Sequence, residues 1–372
     1  MNSPLSEQGR IRRIHKELIT FIGITFFLTY AYNLWLILAF GTINNVPPYS
    51  TLVQMMIPAL VAIFCICIFR DQTLSPSVKL FFALVFINAA VFLWEMGISP
   101  ILAVTLFELP IYRFMPTLSI IVSSISVLIL IAMNLVQKSR EELYPAGLSF
   151  GHGPKWYGII PVLFGMLFFA VYFLNHISNS GDPILEFSLE AFTTALCINL
   201  FIGFLVGWQF YFGEEYGWRI YLQDRLFTIL GGLKGVIVIG IIWGLWHSGL
   251  ILMGMNYPGQ PILGNSIMIL FAIVMGVFYS IAVLKTGSVW IAVILHLITD
   301  TMEPLAWLYL SYPSDMINSF GTGIYGVAIL GIIAIFLLLR LDIWEKASTL
   351  VAKRLSGQNY EHKHAHTGAK DV

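Results

Sequence analysis

Apolar stretches of about twenty residues, most without an internal charge, recur along this chain near 18–40, 52–69, 79–107, 116–136, 157–175, 189–212, 235–253, 264–284, 287–302 and 320–340. An α-helix needs about 20 apolar residues to cross the hydrocarbon core of a bilayer. Barrel strands would alternate polar and apolar residues, and these runs do not. The expected fold is therefore all-α, a polytopic membrane helix bundle of about ten transmembrane helices, with the 79–107 run interrupted by Gly97 and Pro100. With 58% hydrophobic and only 11% charged residues, the chain cannot stay soluble as a globule.

Charge position then sets the expected topology, because short cytoplasmic loops are rich in Lys and Arg. Arg10, Arg12, Arg13 and Lys16 precede the first run. Arg70 with Lys79, Lys138 with Arg140 and Lys155, the Arg219–Lys234 stretch, Lys285, and the segment from Arg340 to Arg354 all fall on one side of an even number of spans. Arg113 is the exception among the intervening loops. The expectation is a multi-pass protein of the cell membrane with both termini cytoplasmic. The first run is too long and aromatic for a cleaved signal and reads as a retained helix. The chain divides into a cytoplasmic segment 1–17, N-terminal helices 18–185, a core 186–302, a C-terminal membrane region 303–342 and a cytoplasmic tail 343–372. The tail's His362, His364 and His366 read as solvated residues rather than a metal site. Cys65, Cys67 and Cys197 lie in apolar runs, where a thiol behaves as a small hydrophobe.

Ionisable groups within apolar spans cost about 2.5 to 3.5 kcal/mol each on insertion scales, so a cluster of them marks function. Such a cluster occupies the 186–302 core. Glu214 and Glu215 end the 189–212 run in Gly213-Glu214-Glu215-Tyr216-Gly217-Trp218-Arg219, a sequence compatible with a helix. Glu215 and Arg219 are four apart and share a face. Glu214 points about 100° away and is left to act as a general base or acid. His247 lies thirteen residues past Lys234, about 20 Å along a helix, and His296 about 16 Å past Lys285. His296 and Asp300 share a helical face and can address one target or each other.

Neither a Gly-x-Ser-x-Gly elbow nor a cysteine beside these residues supplies a nucleophile. The set fits hydrolysis by an activated water. Glu214 takes the proton, His247 positions the water, and His296 with Asp300 meets the oxyanion that forms on a peptide carbonyl. An ionised Asp cannot donate, so Asp300 acts there only when protonated, or orients His296 instead. Glu214, His247 and His296 are also suitable zinc ligands, although His-Glu-x-x-His is absent. Zinc is the cofactor if a metal is used, and the residues alone leave the two routes to the nucleophile open.

The motifs Glu214-Glu215-x-x-x-Arg219, aromatic-x-x-x-His ending at His247, and His296-x-x-x-Asp300 resemble the CAAX protease and bacteriocin-processing family, which includes the type II prenyl-protein endopeptidases. The resemblance covers about residues 190–302. It implies an intramembrane endopeptidase with a helical core and a cavity open to the cytoplasm. In it Glu214 and His247 activate water, His296 and Asp300 line the oxyanion site, and Glu215 and Arg219 support them. The family is often labelled metalloprotease, and a metal-independent glutamate mechanism is also argued for its prenyl-protease members. Trp243 stands where Phe is common, expected as a mild packing change, and Asp300 where Asn is usual. The implied partners are the lipid bilayer and a membrane-associated peptide or protein substrate. The sequence carries no nucleic-acid footprint. A non-cleaving immunity or scaffold protein and a proton-coupled transporter are the alternatives. The transporter lacks the inverted repeats expected of a carrier.

Overall fold

The computed structural model describes residues 7–69, 73–108, 116–178, 181–183 and 187–357. Arg70, Arg113 and the tail histidines His362, His364 and His366 lie outside the described residues. The rest forms a multi-pass helical membrane protein. Its helices are α1 (Glu7–Phe40), α2 (Val53–Phe69), α3 (Pro76–Phe92), α4 (Ser99–Phe107), α5 (Thr117–Leu135), α6 (Gln137–Leu143) and α7 (Trp156–Ile177). They continue as α8 (Leu189–Glu215), α9 (Gln223–Trp246), α10 (Ser248–Leu252), α11 (Pro261–Thr286), α12 (Val289–Tyr309), α13 (Ile324–Arg340) and α14 (Ala347–Leu355). One small antiparallel ladder joins β1 (Gly181–Pro183) to β2 (Ser311–Pro313).

Among the described residues, eight apolar helical stretches are long enough to cross a membrane, against the ten expected. The difference has two sources. The runs 189–212 and 235–253 belong to one 64-residue helical stretch, Leu189–Leu252, and the last run becomes α13, only 17 residues long. The interruption expected at Gly97 and Pro100 is a π-helical turn, Leu93–Ile98, between α3 and α4. Large apolar side chains such as Phe27, Leu38, Phe201 and Ile332 remain exposed. Lipid, not water, accommodates such a surface.

Alternating helix directions gather the connections into two ends. At one end Arg225 donates to Glu17 across 2.6 Å, Arg354 pairs with Asp224, and Glu142 accepts from the Ser77 amide at 3.1 Å, capping α3. Hydrogen bonds from the Ser77 hydroxyl and amide hold the Glu142 carboxyl below its ordinary range. At the other end the Ile43 amide donates to the Met253 carbonyl, the Tyr257 hydroxyl donates to the Thr322 carbonyl, and β1 pairs with β2. There Glu95 accepts from the amides of Leu118 and Ser119, satisfying orphan donors at the start of α5.

Two glycines fix how the core assembles. A Cβ on Gly213 would lie 2.3 Å from the Met55 carbonyl oxygen, and one on Gly217 would lie 2.4 Å from Cβ of Pro58. The Gly-x-x-x-Gly spacing therefore lets α2 lie directly on the end of α8, as small residues do at membrane helix interfaces. Beyond Glu215 the chain passes through a second π-helical stretch, Tyr216–Leu222, into α9. Gly231 (φ 74°, ψ 172°) then breaks α9, a conformation that costs glycine little. The chain turns back there, and the returning limb carries Trp243 and the residue after α9, His247, up beside α8. Under the site, Trp208, Phe212 and Trp290 pack with Phe81, Phe212 stacking on Trp290 at 5.5 Å.

Candidate active site

Glu214 and Glu215 are both buried, and they face different neighbours as the helical spacing predicts. Glu215 is fully enclosed. One of its oxygens accepts from Arg219 Nε at 3.1 Å, and the other meets His296 Nδ1 at 2.8 Å. Arg219 is equally enclosed, with its guanidinium 4.7 Å from the Trp243 ring centroid and 5.4 Å from that of Tyr279. Its two terminal nitrogens have no hydrogen-bond partner. The buried positive charge is therefore met by one carboxylate and two aromatic faces. The expected i,i+4 pairing of Glu215 and Arg219 is present although the intervening turn is π-helical.

Glu214 is held by a residue on the returning limb. The Trp243 indole N–H donates to Glu214 Oε2 at 2.6 Å, and the Trp243 carbonyl sits 2.8 Å from His247 Nδ1. A carbonyl only accepts, so His247 Nδ1 carries the proton, and in the neutral ring Nε2 presents its lone pair. The same reasoning places a proton on His296 Nδ1, because its partner Glu215 already accepts from Arg219. His296 Nε2 lies 3.7 Å from Asp300 Oδ1, beyond hydrogen-bond reach. Asp300 keeps 42% of its side-chain surface, facing the cavity it lines.

Glu214, His247, His296 and Asp300 all line one cavity of about 330 Å³. Sequence reasoning missed two further polar groups in its wall. Gln54 of α2 is buried with neither side-chain nitrogen nor oxygen partnered. Pro58, four residues on, also removes the helical donor to the Gln54 carbonyl. Gln54 is the one amide within the 52–69 run, an intramembrane polar signal that was available in the sequence. Glu303, one residue past the expected 186–302 core, accepts from the Tyr172 hydroxyl at 3.0 Å and lines the same cavity. A larger cavity of about 650 Å³ at the opposite end contains none of these residues, and its charges pair with one another, Arg225 with Glu17 and Arg354 with Asp224.

Residues 198–302 match the family model described as type II CAAX prenyl endopeptidase Rce1-like. That stretch is similar to the CAAX prenyl protease family and covers less than half of the chain. No curated protein matches the chain. The Rce1-like segment contains Glu214, Glu215, Arg219, His247, His296 and Asp300, whereas Gln54, Glu303 and Thr322 in the cavity wall lie outside it.

Two expectations attached to the resemblance change. Trp243, expected as a mild packing variant of the usual Phe, donates a hydrogen bond to Glu214 that Phe cannot make. The cavity, expected to open beside the basic loops, is walled by connections at the other end of the bundle, including Thr51, Asn256 and Thr322.

Among the described residues no three His, Cys, Asp or Glu side chains are grouped so as to hold one metal ion. Glu214 accepts from Trp243 through one oxygen, and His247 and His296 each have Nδ1 engaged, so the other Glu214 oxygen and both Nε2 atoms remain uncommitted.

Proposed function

We propose that the chain is a CAAX-protease-like intramembrane endopeptidase that hydrolyses peptide bonds of membrane-associated proteins or peptides with a water activated by Glu214 and His247. The observation that carries this reading is Trp243, which fastens both groups into the wall of one cavity, its indole on Glu214 and its carbonyl on His247. A water between the free oxygen of Glu214 and His247 Nε2 has two acceptors for its protons and turns its own lone pair toward the substrate carbonyl. As its oxygen bonds to the carbonyl carbon, one proton passes to Glu214 and the carbonyl becomes an oxyanion. When the tetrahedral species collapses, the C–N bond breaks and the proton held by Glu214 leaves with the amine.

His296 is the donor nearest to hand for the oxyanion. With Nδ1 committed to Glu215, it presents an N–H at Nε2 only when the ring carries both protons, and Glu215 and Asp300 supply the matching negative charge. A donor placed this way is worth about 3 to 4 kcal/mol of barrier. The acidic groups in the cavity wall are Glu214, Asp300 and Glu303, and no Lys or Arg lines it. A neutral or cationic segment suits that wall better than an acidic one.

Purified protein in liposomes, offered a panel of membrane-tethered peptides with products read by mass spectrometry, tests the reading. Expected products carry a new free carboxyl and a new free amine, are lost with His247→Ala, and persist in chelator. Absence of cleavage across the panel, or equal cleavage by His247→Ala, would overturn it. Loss of cleavage in chelator with recovery on adding zinc would replace the glutamate-activated water with the metal reading.

A further inference from the structure

The side of the membrane from which substrate reaches the site follows from which connections wall the cavity. Its rim residues Thr51 and Leu52 follow α1, Met255 and Asn256 connect α10 to α11, Trp307 lies near the end of α12, and Thr322 precedes α13. These segments are bound to one another: the Ile43 amide to the Met253 carbonyl, and the Tyr257 hydroxyl to the Thr322 carbonyl. They are thus one end of the bundle. The start of α1, the start of α9, the end of α13 and α14 form the other end, tied by Arg225–Glu17 and Arg354–Asp224.

The distribution of charge between the two ends is lopsided. Among the described residues no lysine or arginine falls in a connection at the cavity end. The connections there hold Glu108, Asp182 and Asp315 instead. A bias of this kind sets orientation, since basic loops stay in the cytoplasm. Depth agrees. Glu214 lies eleven residues before Arg225 along a helical path, about 16 Å above the basic end at 1.5 Å per residue. The cavity therefore begins near mid-membrane and extends away from the basic end.

We propose that the scissile peptide bond enters this cavity from the face of the membrane opposite the basic connections, the non-cytoplasmic face. The substrate is then an exported peptide or the non-cytoplasmic segment of a membrane-anchored protein. A cytoplasmic protein tail, prenylated or not, would have to cross half the bilayer and the packed floor of Glu215, Arg219, Trp208 and Trp290 to reach Glu214. This inference rests on reading the cavity as the hydrolytic site, but its test does not depend on cleavage.

The full-length protein with Cys67→Ala and Cys197→Ala, keeping buried Cys65 as the background, receives one new cysteine at a time. Gln260→Cys sits on the exposed α10–α11 connection beside Asn256, and Lys353→Cys is exposed on α14. A membrane-impermeant maleimide added to intact cells is expected to label Gln260→Cys, and Lys353→Cys only after permeabilisation. Asn256→Cys, in the cavity wall, is expected to follow Gln260→Cys. Labelling of Lys353→Cys but not Gln260→Cys in intact cells, or of both from one side, overturns the proposal. A cleavage assay that fails while the labelling pattern holds would sink the hydrolytic reading and leave the orientation standing.

Discussion

Replacing Glu215 with glutamine keeps the shape of the side chain and removes its charge. The carboxylate and Arg219 are both fully enclosed, with Nε 3.1 Å from the carboxylate oxygen. At that separation and an effective dielectric of about 20, their attraction is about 5 kcal/mol. The faces of Trp243 and Tyr279 are against Arg219 in both proteins and do not change the difference. A loss of about 3 to 5 kcal/mol is the usual cost of breaking a buried ion pair from one side. Equilibrium unfolding of the purified protein in mixed detergent micelles measures it, with Arg219→Met and the double variant completing a cycle. The double variant is expected to recover about 2 kcal/mol relative to the sum of the single losses, because removing both charges leaves none stranded. A Glu215→Gln protein within about 0.5 kcal/mol of wild type, or single losses that simply add, would refute the argument that this pair carries the floor of the site.

Three further outcomes follow from the geometry. Trp243→Phe keeps a ring against Arg219 but loses the indole donor to Glu214, a bond to a charged group worth about 1.5 to 3 kcal/mol, so kcat/KM should fall at least about tenfold; an unchanged value would make the contact incidental. Gln54→Met removes an unpartnered buried amide whose burial costs about 1 to 3 kcal/mol, so stability should hold or rise while KM increases and kcat is kept; reduced stability with unchanged KM would assign Gln54 to packing. Glu142, whose folded-state pKa is depressed by Ser77, contributes stability at pH above its unfolded value of about 4.3, and that contribution is lost as pH falls through its folded value. The advantage of wild type over Glu142→Gln in unfolding midpoint should therefore shrink on acidification, and an advantage that grew would reverse the assignment.

Much of the architecture is legible in the sequence because a bilayer tolerates so few solutions. The apolar runs mark the helices, and the i,i+4 spacing of Glu215 and Arg219 foretells their ion pair. The number of spans is less legible, since the π-helical stretch at Tyr216–Leu222 carries one helical run into the next without a breaker until Gly231. Glu214, His247, His296 and Asp300, singled out as ionisable groups in apolar runs, line one cavity. Trp243 was hidden because the direction of its indole depends on how the returning limb of α9 rotates against α8, which no local spacing encodes. Gln54 is visible in the sequence as the one amide of its apolar run, but the direction it faces is not. Its place in the wall depends on the contact of Gly213 with Met55 and of Gly217 with Pro58, a pairing between helices some 150 residues apart in the chain.

The central claim is that Glu214 takes the proton from the attacking water. Glu214→Gln preserves the acceptor for the Trp243 indole through its amide oxygen and abolishes the base. Single-turnover cleavage of a membrane-tethered peptide by this variant, in protein shown to unfold like wild type, is the direct measurement. General-base assistance alone is worth about a hundred- to ten-thousandfold, so the rate should drop by at least about a hundredfold. A rate within a few-fold of wild type would contradict the account.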